Sequence, residues 1–305
     1  MNTQAPFERA RAVAMGCGGV LGIAWSIGLT AGLTEEGVDL QLADLWIGAS
    51  AGAVVASRLA HGVAIATLLH EQTNGEAAAQ EMLRPYSQAE VDRKNQQLFA
   101  KVQGNLELAR QRIGAWALRS NTPPLEQRHA IIAQRLKGID WPSTDLRIVA
   151  VDAQSGAQQV WERSHGVPLA QAVAASCAVP GVWPTVPIGE QHYMDGGLRS
   201  MTNADLAHGS QRVLVISPQG FSDGNPVSGR LRAELDTLQA AGTRVLVIAP
   251  DGDSLEAIGP NILDPTRCAA VARAGLRQGR IASAEIRPFW ESVPSDHFTQ
   301  GPDNA

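Results

Sequence analysis

Ser50 stands in the run Gly48-Ala49-Ser50-Ala51-Gly52, with apolar Leu45-Trp46-Ile47 before it and a helical pattern to about Ala60 after it. That order reads as strand, tight turn and helix. A serine on such a turn is held in a strained backbone conformation that pushes its Oγ into the open. Small neighbours are needed there, because larger side chains would collide with the strand and the helix, and all four flanking positions are Gly or Ala. The helix N-terminus favours negative charge developing at the serine. Serine also caps helices, so the pentapeptide alone does not decide between a cap and a nucleophile. A hydroxyl is a weak nucleophile and needs a base beside it. Asp195 is the first candidate, since the short strand His192-Tyr193-Met194 delivers it to a Gly196-Gly197 turn. Asp152, Asp205, Asp251 and Asp264 are the alternatives; the last two flank prolines in loops, where turn-forming is the usual role. A third group is the loop Gly16-Cys17-Gly18-Gly19-Val20-Leu21-Gly22, whose N–H groups could bind an anion.

These residues need a scaffold. Arg11 to Met15 reads as a strand into the glycine loop, and a helix follows from Ile23 to about Glu36. Strand, glycine loop and helix could serve a dinucleotide, with Asp39 or Asp44 on the ribose, but the Gly-x-Gly-x-x-Gly spacing fails at Leu21. From Val63 to about Leu118 the chain is mostly helical, with breaks at Gly75, Pro85 and Gly104. Leu146 to Asp152 is a strand, and Gln158 to Glu162 is its hairpin partner. A helix from Pro168 runs into the proline-punctuated stretch Ala175 to Pro184. Strands at Gln211–Ser217 and Thr243–Ala249, with a helix at about Gly229 to Ala241 between them, form a βαβ unit and imply parallel strands. A last helix runs from Pro265 to about Ala284. The economical reading is one α/β domain with a mainly parallel central sheet and helices on both faces. Its expected limits are 11–288, with a helical insertion over 63–120, a flexible N-terminus over 1–10 and a polar C-terminal tail over 289–305.

Composition narrows the classes. With 44% hydrophobic and 18% charged residues the chain is globular and not disordered. A net charge of −5 and no basic stripe interleaved with aromatics argue against nucleic acid as a partner. No apolar run is long enough for a transmembrane segment. Cys17, Cys177 and Cys268 form no C-x-x-C pair, and their odd number without an apolar leader points to a reducing, cytoplasmic location. No base is expected near Cys17, so packing is its expected role. The seven histidines share no metal-ligand spacing.

Taken in order, the glycine loop, the Gly-x-Ser-x-Gly turn and the late Asp-Gly-Gly resemble the patatin-like phospholipase family, lipid acyl hydrolases with a Ser–Asp dyad. The Ala175-Ser176 to Pro184 stretch is similar to the family's Ala-Ser-x-x-x-Pro loop, and the resemblance spans about residues 11 to 285. It implies the α/β fold, Ser50 as nucleophile, Asp195 as a base acting without a histidine, and Gly18 and Gly19 as oxyanion-hole donors. Gly22, Gly48, Gly52, Gly196 and Gly197 would support these motifs. The implied activity is hydrolysis of acyl esters through an acyl-enzyme, with no metal or organic cofactor. The implied partners are a lipid or other acyl-ester substrate and a membrane surface touched peripherally; the oligomeric state is not readable. Three positions depart from the family pattern: Cys17 replaces a glycine, Ala49 a frequent threonine, and Leu21 a frequent Arg or Lys. With no charge at Leu21, neutral acyl esters are expected to be preferred over phospholipids. Two other readings stay open. One is a lipid-binding protein that keeps the fold with weak or no activity, and the other is a Ser-His-Asp hydrolase using His208 or His297. The second is disfavoured because that fold places several strands before its nucleophile, and only one clear strand precedes Ser50.

Overall fold

Period-two alternation in the strands puts one apolar layer on each face of a sheet. In β1 (Arg9–Met15), Val13 and Met15 join a large core on one face, while Ala12 and Ala14 join a second core on the other. The computed structural model describes residues 7–79, 81–223, 225–226 and 230–291. Its other strands are β2 (Leu45–Gly48), β3 (Asp145–Asp152), β4 (Gln158–Trp161), β5 (Val186–Ile188), β6 (Gln191–Asp195), β7 (Ser210–Ile216) and β8 (Arg244–Ile248). The order is β5-β6-β3-β2-β1-β7-β8, with β4 also paired to β3. From β3 to β8 the neighbours are all parallel; β4, β5 and β6 add antiparallel pairs. The fold is therefore a single α/β domain with a mainly parallel central sheet flanked by helices.

Strand β1 has β2 on one side and β7 on the other. Loops that leave adjacent strands at such a switch point open a crevice at the carboxyl ends of the strands. The glycine loop leaves β1 there and the Ser50 turn leaves β2. Helix α1 (Gly19–Glu35) is buried from Val20 to Leu33, and its apolar surface runs all the way round, so it needs cover on every side. The sheet and the long helix Cys268–Glu291 supply that cover. Helix α2 (Ala51–Ala60) follows Ser50.

Register explains how β6 reaches Ser50. Strand β3 pairs with β2 over Asp145–Ile148, with β6 over Ala150–Asp152, and with β4 over Ile148–Val151. The β4 pairing overlaps both of the others, and a strand has two edges. Strands β2 and β6 therefore share the remaining edge and meet end to end, with Ser50 just past one end and Asp195 at the other.

Among the described residues, five helices lie between α2 and β3: Ile65–Thr73, Glu76–Ala79, Gln88–Lys101, Leu106–Ala117 and Leu125–Leu136. Gly75, Pro85 and Gly104 fall between them, and Ser87 and Asn105 cap the third and fourth through their side chains. The last helix runs beyond Ala284 to Glu291, carrying Pro288 inside it. Of the expected N-terminal segment, residues 1–6 lie outside the described residues, and β1 already begins at Arg9. Of the expected tail, residues 292–305, with His297, lie outside them too. Among the described residues no helix is long and apolar enough to cross a membrane.

Candidate active site

Ser50 has φ 53° and ψ −117°, a left-handed conformation that a serine adopts only under constraint. Several hydrogen bonds impose it. The Ala49 N–H donates to Met15 O at 3.2 Å and the Gly52 N–H to Gly16 O at 3.0 Å, which ties the turn to the end of β1. Behind the serine, its own N–H donates to Ser176 Oγ at 2.9 Å, and Ser176 Oγ donates to Val149 O at 2.6 Å. The Cys177 thiol donates to Ser50 O at 3.2 Å. A Cβ on Gly52 would lie 1.9 Å from Met15 O, so only glycine permits this approach. Gly48 ends β2 in similarly close contact with Gly52 and Ala53, and Gly22 lies in the first turn of α1.

Asp195 ends β6, and its N–H donates to Ala178 O at 3.0 Å. Its Oδ1 accepts from the Gly197 N–H at 2.8 Å and from the Cys17 thiol at 3.8 Å, while Oδ2 is buried and has no hydrogen-bond partner. Gly196 packs so closely that a Cβ there would meet Val149 O at 2.3 Å. Burial pushes the Asp195 carboxyl up to about 6, against the Gly197 N–H, the Ser50 hydroxyl, the Cys17 thiol and the Arg128 charge, which all favour the carboxylate. The Ser50 hydroxyl is thus near enough to Asp195 to favour its carboxylate.

Gly18, with an extended φ of 173°, caps α1, and Gly19 follows at φ +61°. Their N–H groups, and that of Ala51 at the start of α2, have no acceptor among the described residues. Gly18, Gly19, Ser50, Asp195 and Gly197 all line one cavity of about 580 Å³. Its far wall comes from the helices before β3, through Val91, Leu98, Ile113 and Trp116.

The other candidates are placed elsewhere. Asp152 holds a turn by accepting from the Gln154 and Ser155 N–H groups, and Asp251 and Asp264 cap short helices. Asp205 is paired with Arg199, and His208 is exposed and off the cavity. Asp39 caps a single turn, and Asp44 accepts from the Ala10 and Arg11 N–H groups. Two expectations need correction. A base does stand beside Cys17, namely Asp195, but burial and that carboxylate hold the thiol well above its usual range, so it serves as a donor. Leu21 is fully buried in the core because its place on α1 turns inward, so its side chain does not reach the cavity. The sequence reading missed Arg128 and Arg135, two turns apart on the helix Leu125–Leu136 and both lining, with Ser50, one small space. Their spacing puts them on one helical face; nothing in it announces burial.

A family model described as patatin-like phospholipase matches residues 13–208, which takes in the glycine loop, Ser50 and Asp195. The chain belongs to the patatin-like phospholipase family. Among solved structures it is similar to VipD from Legionella pneumophila, at 13% identity and a TM-score of 0.45, covering 92% of this chain and 68% of that one. It is also similar to the type III effector protein ExoU, at 16% identity and a TM-score of 0.40, covering 92% of this chain and 53% of that one. The chain thus spans about half the length of ExoU. No curated protein sequence matches it. Within a patatin-like domain, the crevice beyond β1 and β2 is the place where the chemistry-bearing residues described above converge.

Proposed function

We propose that the protein hydrolyses acyl esters, with Ser50 as nucleophile, Asp195 as its base, and the N–H groups of Gly18 and Gly19 as the oxyanion hole. The observation that carries this reading is the end-to-end meeting of β2 and β6. It brings a strained serine and a buried carboxylate with a free oxygen to the floor of one apolar-walled cavity. Ser50 Oγ attacks the ester carbonyl while its proton passes to Asp195. The carbonyl π-electron pair moves onto oxygen, where preorganised donors stabilise it. As the tetrahedral intermediate collapses, the C–O bond to the alcohol breaks and the alcohol leaves with the proton from Asp195. Water then attacks the acyl-enzyme, gives a proton to Asp195, and the acid departs as Ser50 Oγ recovers that proton. The raised Asp195 pKa suits a base working near neutrality.

The substrate class proposed is a lipid or other acyl ester whose chain lies along the apolar cavity, reached with or without peripheral contact to a lipid surface. Because Leu21 is turned into the core, that position gives no ground for choosing between neutral esters and phospholipids. The lipid-binding reading requires no turnover. The test is hydrolysis of a medium-chain p-nitrophenyl ester together with labelling by a fluorophosphonate. Both should occur in the wild type and vanish in Ser50→Ala; a folded Ser50→Ala variant with undiminished turnover would sink the assignment.

A further inference from the structure

Ser50 also borders a smaller space that adjoins the large cavity and shares Gly19, Ser50, Val179 and Leu263 with it. It holds about 20 Å³, enough for one water-sized group and too little for an acyl chain or a headgroup. Gly19, Ser50 and Ala51 bound it on one side, and the N–H groups of Gly19 and Ala51 lack acceptors. Arg128, Arg135 and Glu81 bound it on the other. A carbonyl oxygen at Ser50 could enter this space while its acyl chain lies in the large cavity. We propose that Arg128 supplies positive charge to the oxyanion formed at Ser50, and that Glu81 sets how much of that charge the oxyanion feels. The proposal rests on the Ser50 ester chemistry given above and deepens it.

The charges around this space do not cancel. Arg128 donates to both carboxylate oxygens of Glu81, at 3.2 and 3.3 Å, and Arg135 pairs with the same carboxylate. Two guanidinium groups therefore share one anion. Arg128 is only 4% exposed, its Nε has no hydrogen-bond partner, and its guanidinium lies over the Trp183 ring at 4.0 Å from the centroid. A buried charge acts across a poorly screened interior, so an excess positive charge here favours an oxyanion more than a surface arginine would. The same charge is among the groups that favour the ionised form of Asp195, which agrees with Arg128 lying within electrostatic reach of the dyad. The glycine loop from Gly16 to Gly22 carries no basic side chain, so it brings no side-chain cation of its own.

A purely structural Arg128 would make a different prediction, and the sign of one substitution separates the two. Arg128→Met and Glu81→Gln break the same ion pair, so loss of structure alone would lower turnover in both. If charge at the oxyanion matters, the two must diverge. With the p-nitrophenyl ester, Arg128→Met should lower kcat by about ten- to a hundredfold with little change in KM. Glu81→Gln, which removes the competing anion, should raise kcat by about two- to fivefold. The acid limb of the kcat/KM profile should move to higher pH in Arg128→Met and to lower pH in Glu81→Gln. The double variant should fall between the wild type and Arg128→Met, because Arg135 then keeps its charge without the Glu81 carboxylate. Should Arg128→Met fail to fold, near-isosteric Glu81→Gln still carries the sign test, and Arg128→Lys should keep most of the turnover. A fall in kcat in Glu81→Gln, or an Arg128→Met kcat within twofold of the wild type, overturns the proposal. Fluorophosphonate labelling of Ser50 keeps the failures apart: a labelled wild type with the wrong signs defeats the Arg128 proposal alone, whereas Ser50-independent turnover defeats the dyad beneath it.

Discussion

Asp195 is the residue whose environment costs the fold most visibly, and the sign of that cost can be tested. Burial raises its carboxyl from 3.8 to about 6. A carboxyl whose folded pKa is raised is best tolerated protonated, so its contribution to stability is fully present below about pH 3.8 and is lost as the pH climbs through about 6. Asp195→Asn imitates the protonated form permanently. The variant should therefore equal the wild type in stability near pH 4 and exceed it increasingly up to pH 6, by at most about 3 kcal/mol on the plateau above. Denaturant midpoints across that pH range measure this, and an Asn variant less stable than the wild type at pH 8 would contradict it. The same substitution should lower turnover by several orders of magnitude, about 10⁴-fold by analogy with other lost carboxylates of serine-nucleophile sites. Wild-type kcat/KM should rise through about pH 6 and then level off, because only ionised Asp195 accepts the serine proton. Stability and activity thus pull this residue in opposite directions. The types of Ser50 and Asp195, and the small residues around them, were legible because steric demand near a strained turn is written locally. The thiol of Cys17 beside Asp195 was not legible, since those two residues meet only through the fold.

At the scale of elements, the glycine loop is only as well placed as α1, which begins at Gly19. Helix α1 meets the helix Cys268–Glu291 through glycines on both sides: a Cβ on Gly28 would lie 2.0 Å from Ala272 O, and one on Gly279 would lie 2.2 Å from Leu29 O. Both obstacles are backbone, so neither can be relieved by a side-chain rotation. Alanine favours helices intrinsically over glycine, so propensity alone predicts that Gly28→Ala stabilises. Packing predicts the reverse, because the two helices must separate; the net loss should be about 2 kcal/mol or more. Thermal unfolding decides between these, and an unchanged or raised Tm would show that the contact yields. Most helices and strands were readable from the sequence, and the glycine breaks at Gly75 and Gly104 fall where the sequence places them. The short helix Gly252–Ile258 and the three-residue strand Val186–Ile188 were too brief to show a pattern. The pairing of β2 and β6 along one edge of β3 was out of reach, because register depends on partners far away in the chain. Leu21 shows the same limit: the loop motif names the position, but the rotation of α1 against its neighbours decides where the side chain goes.

For the whole molecule, the question is what the helices between β2 and β3 add to a sheet that already holds Ser50 and Asp195. The helix Gln88–Lys101 has no buried residue, yet Val91 and Leu98 turn its apolar face toward the cavity, and Ile113 and Trp116 do the same from the helix Leu106–Ala117. The helix Gln88–Lys101 and the loop before it are also tied to other parts of the chain, where Asn225 Nδ2 donates to Asp92 Oδ1 at 2.6 Å and Asn261 Nδ2 donates to Arg84 O at 2.9 Å. A partly exposed apolar helix face held over a cavity buries little of its own chain, so its apolar surface is available to the substrate. If an acyl chain lies against it, each methylene removed from water contributes about 0.8 kcal/mol. Short chains that stop near Ser50 would not reach this wall. Leu98→Asp should therefore leave kcat/KM for a butyryl ester nearly unchanged and lower it for a decanoyl ester by about tenfold or more, mostly through KM. Paired kinetics on p-nitrophenyl butyrate and decanoate read the difference directly, with Leu42→Asp, an exposed position off the cavity, as the control. Equal losses on both chain lengths would mean that the substitution disturbs the catalytic floor, and no loss on either would mean that the acyl chain runs along another wall.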